Sequence, residues 1–238
     1  EKSYFFLTFA AQLEADFQNI KSKLLTPQDI VILSHRNPDG DAVGSTVALK
    51  RYLDSLNHFT KIIYPSEYPT SFQFLFQGIS NPIIFDIDQK LAFEEIKKAT
   101  VIFYLDCNGL KRVDKMSETL NFSTAFKVMI DHHLDPEPIA DVIISETSAS
   151  STSELVYYFI KELSGKDFVH PLIGEALFTG IITDTSSFKY STRPQTYEVA
   201  SKLKQSGVDD YSIQNLIYNS LESKYLKLLG HCLANRMV

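Results

Sequence analysis

Residues 30–45 read IVILSHRNPDGDAVGS. An apolar run, Ile30 to Ser34, has the length and β-branched character of a buried strand. From Ala42 to Leu56 the spacing of Val43, Val47 and Leu53 is helical. Between them lies a short loop holding His35, Asp39 and Asp41, with Pro38 and Gly40 to shape the turn. A strand running through such a loop into a helix is the opening of an α/β layered fold.

Working outward, the same pattern repeats. Residues 10–25 predict an amphipathic helix ended by Thr26-Pro27, and Phe59 to Tyr64 a second strand. Phe72, Phe74, Leu75 and Phe76 read as cover for the sheet, with base stacking as the second reading. A helix from Asp88 to Lys98 leads to the strand Val101 to Leu105, which ends on Asp106. Lys127 to Ile130 is a strand running into Asp131-His132-His133, and Asp141 to Ser145 another. Ser151-Thr152-Ser153-Glu154 has capping-box spacing before a helix. Pro171 to Ile182 is helical, so Asp184 follows a helix end, and the remainder from Pro194 predicts three helices broken near Gly207 and Leu221. The expected fold class is therefore α/β, a mostly parallel sheet with helices on both faces and a helical C-terminal segment.

Composition narrows the function. With 44% apolar residues in 238, the chain can fill a core. A net charge of −6 argues against broad binding to long duplex nucleic acid, which scales with Lys and Arg set against phosphates. Two cysteines, Cys107 and Cys232, make no disulfide framework, so a cytoplasmic location is expected, and no apolar run reaches the length of a membrane span.

In an open parallel sheet the loops at the carboxyl ends of the strands converge, so His35, Asp39, Asp41, Asp106, Asp131, His132 and His133 should share one edge. Carboxylates gathered without cations repel one another and rise in pKa, so a cluster with imidazoles among them points to divalent metal. The mixed oxygen and nitrogen donor set suits manganese, iron or cobalt better than magnesium. One ion would be over-supplied; two, about 3.5–4 Å apart, would use the donors and leave room for a bridging hydroxide suited to phosphate ester hydrolysis.

HRNPDGDAVGS at 35–45, LD at Asp106, DHH at 131–133 and GIITDT at 180–185 resemble, in order and spacing, the motifs of the DHH phosphoesterase superfamily over residues 10–235. That resemblance implies a two-metal phosphohydrolase. His35, Asp39 and Asp106 would hold one ion, and Asp41, Asp106, His132 and Asp184 the other, with Asp106 shared. His133 would contact the substrate phosphate, and Asp131 would orient a neighbouring histidine. Two divalent ions are implied, manganese first and magnesium or cobalt as alternatives. LDCNGLKR at 105–112 and SASSTSELVYYFI at 148–160 look most like the branch that hydrolyses very short RNA and 3′-phosphoadenosine 5′-phosphate (pAp). Inorganic pyrophosphatases of the superfamily are the alternative, and a non-catalytic binding module the alternative of another class. Residues 1–220 are expected to form the phosphoesterase domain and 221–238 a connector helix toward a second domain absent from this chain. Ser151 reads first as a helix cap and second as a phosphate contact; Arg112 reads equally as a surface charge or a phosphate clamp. The oligomeric state is left open, a homodimer being one option.

Overall fold

A computed structural model describes residues 15–167, 169–219 and 223–236. Its strands are β1 (Asp29–Leu33), β2 (Phe59–Tyr64), β3 (Ile83–Ile84), β4 (Val101–Leu105), β5 (Phe126–Asp131) and β6 (Val142–Ser145). They form one six-stranded sheet in the order β3-β2-β1-β4-β5-β6, with parallel pairing throughout. Helices are α1 (15–23), α2 (Gly40–Ser55), α3 (Gln89–Lys98), α4 (Met116–Phe122), α5 (Thr152–Ser164), α6 (Pro171–Asp184), α7 (Pro194–Gln205), α8 (Asp210–Gln214) and α9 (Ser223–Arg236).

The strands are apolar throughout because both faces are covered. Ile30, Ile32, Phe103, Leu105, Val128 and Ile130 point into a core shared with α1, α2, α5, α6 and α7. Their neighbours Val31, Leu33, Ile102, Tyr104 and Met129 point the other way, against α3 and α4. The Thr70–Phe76 turn of 3-10 helix buries Phe72, Leu75 and Phe76 in the first core, so these aromatics cover the sheet as expected rather than offering a stacking platform. β1 leads through α2 to β2 on one side, whereas α3 carries the chain across to β4 on the other. The winding reverses between β1 and β4, and the crevice above that reversal is where open α/β sheets bind ligands.

The predicted elements are present, with adjustments. Helix 10–25 is observed over 15–23, its first residues lying outside the described ones. α2 begins at Gly40 because Asp39 caps it, Oδ1 accepting from the Asp41 and Ala42 backbone N–H groups at 3.0 Å. The two-residue β3 went unseen in the sequence. Among the described residues the tail holds three helices, with α8 running on as a π-helical turn, Asn215–Asn219. The break expected at Leu221 lies outside the described residues. Among the described residues no helix is long and apolar enough to cross a membrane, and both cysteines are free.

Candidate metal centre

Parallel pairing sets Leu33 opposite Tyr104 and Leu105 opposite Ile130. The residues that follow these strands therefore meet at one edge. His35 lies on the loop after β1. Its Nδ1 is 2.8 Å from the Arg36 carbonyl oxygen, which fixes that nitrogen as the donor. Nε2 is left buried without a hydrogen bond, 3.2 Å from Asp106 Oδ2 and 3.8 Å from Asp39 Oδ2. A buried nitrogen lone pair facing two carboxylates is the arrangement that a cation completes.

Asp106 takes a left-handed φ of 55°, which Asp tolerates better than most residues. Its carboxylate is nearly fully buried and divides between two groups. Oδ2 faces His35, while Oδ1 lies 3.6 Å from His132 Nε2 and 3.5 Å from His133 Nδ1. His132 is turned by the Ala149 carbonyl oxygen, 3.4 Å from its Nδ1. The Nε2 atom also lies 3.2 Å from Asp184 Oδ2 and 3.9 Å from Asp41 Oδ2. Three overlapping ligand triads result: His35–Asp39–Asp106, Asp41–His132–Asp184 and Asp106–His132–His133, each with its donor atoms within 4.8 Å of one another.

Asp41 is completely buried on the second residue of α2. The N-terminus of α5 holds it there, with the Thr152 N–H donating to Oδ2 at 2.6 Å and the Ser153 N–H to Oδ1 at 2.9 Å. Helix dipole and unpaired N–H groups both favour an anion at that position. Three helices converge on Asp41 because glycines let them. A Cβ on Gly44 of α2 would lie 2.9 Å from Gly180 N of α6, and one on Gly180 would lie 2.6 Å from Asp41 Oδ1. The glycines flanking the two helical motifs are thus contact points that bring the Asp41 and Asp184 carboxylates together.

Crowding shifts the acids as repulsion requires. Burial, then the charges of Asp106 and Asp184, pushes Asp41 well above the usual carboxylate range. Burial likewise raises Asp184. Asp106 goes the other way: burial alone would raise it, yet the imidazoles of His132 and His35 against its two oxygens hold it down. Burial opposes the charged form of His132, but Asp106 and Asp184 outweigh it and carry this imidazole to about 11. Without cations the cluster keeps protons to balance itself, and divalent ions at the same donors would displace them.

Asp131 is fully buried and grips its neighbour, accepting the His133 backbone N–H at 2.8 Å and meeting His133 Nδ1 at 3.0 Å. The His133 ring is about one-third exposed. Ser151 is fully buried, and its Oγ accepts the Glu154 N–H at 3.1 Å. It is the cap of α5 and turns no surface to a ligand, and the first N–H groups of that helix already hold Asp41, which corrects the reading of Ser151 as a phosphate contact. Arg112 is half-buried on the loop after β4, and its side chain makes no ion pair among the described residues.

Sequence reasoning missed two arginines. Arg36, beside His35, pairs with Asp86 at 2.7 Å and Asp114 at 2.9 Å, tying together three loops at the carboxyl edge. Arg193 pairs with the fully buried Glu154 at 2.6 Å and donates to Ser148 Oγ at 2.7 Å. Glu154 also accepts from Ser150 Oγ and Thr196 Oγ1, so it ties α5 to α7 instead of closing the reciprocal half of a capping box. No local pattern signals either pairing, since the partners lie 39 residues or more apart.

Residues 29–181 match the DHH family, N-terminal domain, and the chain belongs to that family of metal-dependent phosphoesterases. It is 36% identical to an exopolyphosphatase-related protein from Bacteroides fragilis, whose crystal structure superposes with a TM-score of 0.86 over 94% of this chain and 66% of that one. Identity is 29% to a probable bifunctional oligoribonuclease and PAP phosphatase, NrnA, of Streptococcus mutans, covering 92% of this chain and 66% of the relative. It is 28% to the cyclic-di-AMP phosphodiesterase GdpP of Bacillus subtilis, covering 89% of this chain and 33% of the relative. The chain thus spans about a third to two-thirds of the length of these proteins.

Proposed function

We propose that the protein hydrolyses phosphate esters of small ribonucleotides, short oligoribonucleotides or pAp, using two divalent cations. The division of the Asp106 carboxylate between His35 on one side and His132 on the other carries this reading. His35, Asp39 and Asp106 would hold one ion, and Asp41, Asp106, His132 and Asp184 the second. Such ions supply Lewis-acid polarisation of a phosphoryl group and activate water at neutral pH, and manganese suits the donor set, with magnesium or cobalt as substitutes.

The remaining roles belong to the chain. Asp131 fixes the His133 ring through Nδ1, leaving Nε2 to face the reacting phosphate, where it neutralises developing charge or delivers a proton to the leaving oxygen. Arg112 contributes a guanidinium to a non-reacting phosphate. Arg36 keeps the His35 loop in place through Asp86 and Asp114. The resemblance to the relative named as an oligoribonuclease and PAP phosphatase favours small nucleotides over long duplexes, as does the net charge of −6. The exopolyphosphatase-related neighbour supports a second reading, hydrolysis of pyrophosphate or polyphosphate at the same centre.

A manganese-dependent assay offering a 5′-labelled dinucleotide, pAp and pyrophosphate side by side separates these readings. Preferred turnover of dinucleotide or pAp supports the first, and preferred turnover of pyrophosphate the second. A protein with no manganese affinity and no turnover would leave a non-catalytic binding module.

A further inference from the structure

Beside the second ligand triad the protein opens into a cavity of about 380 Å³, bordered by His132 and Asp184 and walled by Thr147, Ser148, Ser191 and Thr192. The walls come from two separate segments, the loop after β6 and the turn after α6. Arg193 and Glu154 fasten them to each other: Arg193 donates to Ser148 Oγ at 2.7 Å, and Glu154 takes Arg193 Nε at 2.7 Å and Ser150 Oγ at 2.6 Å. The hydroxyls of Thr147, Ser191 and Thr192 have no hydrogen-bond partner among the described residues. A rigid frame therefore holds free hydroxyls next to the reacting centre.

We infer that this cavity is the sugar pocket, and that its hydroxyls select a ribose over a sugar lacking the vicinal diol. The inference rests on the phosphoesterase reading above and names the group recognised beside the reacting phosphate. An anion does not fit here, because Arg193 is neutralised by the buried Glu154 and Asp184 presents a carboxylate to the cavity. A nucleobase finds no stacking plane, since the lining contains no ring besides His132. A neutral group bearing several hydroxyls matches the donors and acceptors on offer, and leaving these polar groups unpaired discriminates against an analogue without them. Attachment to the reacting phosphate follows from the border at His132 and Asp184, two of the proposed ligands.

The test is calorimetric binding of 5′-AMP and its 2′,3′-dideoxy analogue to the whole chain with manganese present. The wild-type protein is expected to bind AMP about tenfold more tightly, the worth of one or two neutral hydrogen bonds. Ser191→Ala combined with Thr192→Val should bring the two affinities to within about twofold, and Thr147→Ala, at an exposed position that tolerates truncation, should narrow the gap on its own. Equal affinity in the wild type, no AMP binding, or variants that keep the preference would overturn the sugar pocket. Hydrolysis of bis(p-nitrophenyl) phosphate by the wild type tests the underlying reaction separately. Ribose preference without that hydrolysis sinks the phosphoesterase reading and leaves the pocket, and hydrolysis without the preference does the reverse.

Discussion

Replacing Gly44 by alanine sets two effects against each other, and the structure decides which wins. Alanine favours a helix interior over glycine by about 1 kcal/mol. The new Cβ, however, would land on the Ala176 carbonyl oxygen and 2.9 Å from Gly180 N, both backbone atoms of α6 that cannot swing aside. Ordinary contact demands that α2 and α6 separate by about half an ångström at the nitrogen and more at the oxygen. Overpacking of a rigid interior costs about 1–3 kcal/mol, and a clash of backbone with Cβ belongs at the upper end, so the net loss is about 1–2 kcal/mol. That corresponds to a fall in Tm of about 2–8 °C for a chain of this size. The same separation pulls Asp41 on α2 from Asp184 on α6, and since metal–ligand distances tolerate only about 0.2 Å, manganese binding should weaken at least about tenfold. Thermal unfolding of the metal-free protein and a manganese titration read the two effects independently. An alanine variant as stable as the wild type, with unchanged manganese affinity, would refute the close-packing argument.

Other outcomes follow from the site. Asp106→Asn should remove most manganese binding and abolish turnover, because its carboxylate is shared by two of the three triads; near-normal activity would contradict the shared role. His133→Ala should keep manganese content and lower kcat by about 10²–10⁴-fold, and loss of metal would move this ring into the ligand set. His132 in the metal-free protein stands at about 11, above its ordinary 6.5. Its contribution to stability is complete below pH 6.5 and withdrawn as pH rises toward 11, so the metal-free protein should weaken over that window while manganese affinity rises and protons are released on binding. Calorimetry in buffers of different ionisation enthalpy measures that release, and binding without it would show the site unprotonated. Arg193→Ala leaves Glu154 buried and unpaired, for an expected loss of about 3–5 kcal/mol in urea unfolding; a loss below about 1 kcal/mol would mean that the pair carries no structural load.

The centre was legible because strand ends carry it. Val101 to Leu105 and Lys127 to Ile130 announce their own burial, and whatever follows a parallel strand must emerge at the shared edge. His35, Asp106 and the DHH triplet needed no further information to be placed near one another. What the sequence conceals is contact between helices. Glu154 three residues after Ser151 mimics a capping box, yet its carboxylate turns to Arg193, Thr196 and Ser150, partners set by how α5 meets α7. The glycines at 40, 44 and 180 look like loop or helix-end residues until α2 and α6 are seen in contact. Ser151 likewise offered a phosphate site only as long as Asp41 was not known to occupy the same helix end.

The left-handed backbone at Asp106 limits what can replace it over evolutionary time. Asparagine and glycine accept a φ of 55° with little strain, whereas glutamate or alanine would have to force the turn after β4 as well as alter the chemistry. A lineage that abandons catalysis can therefore drift to asparagine or glycine at this position while its fold, its histidines and its other acids persist. Asparagine or glycine at that one turn would keep the exit from β4 while removing the shared carboxylate, so either residue there is the expected mark of a member that has lost catalysis.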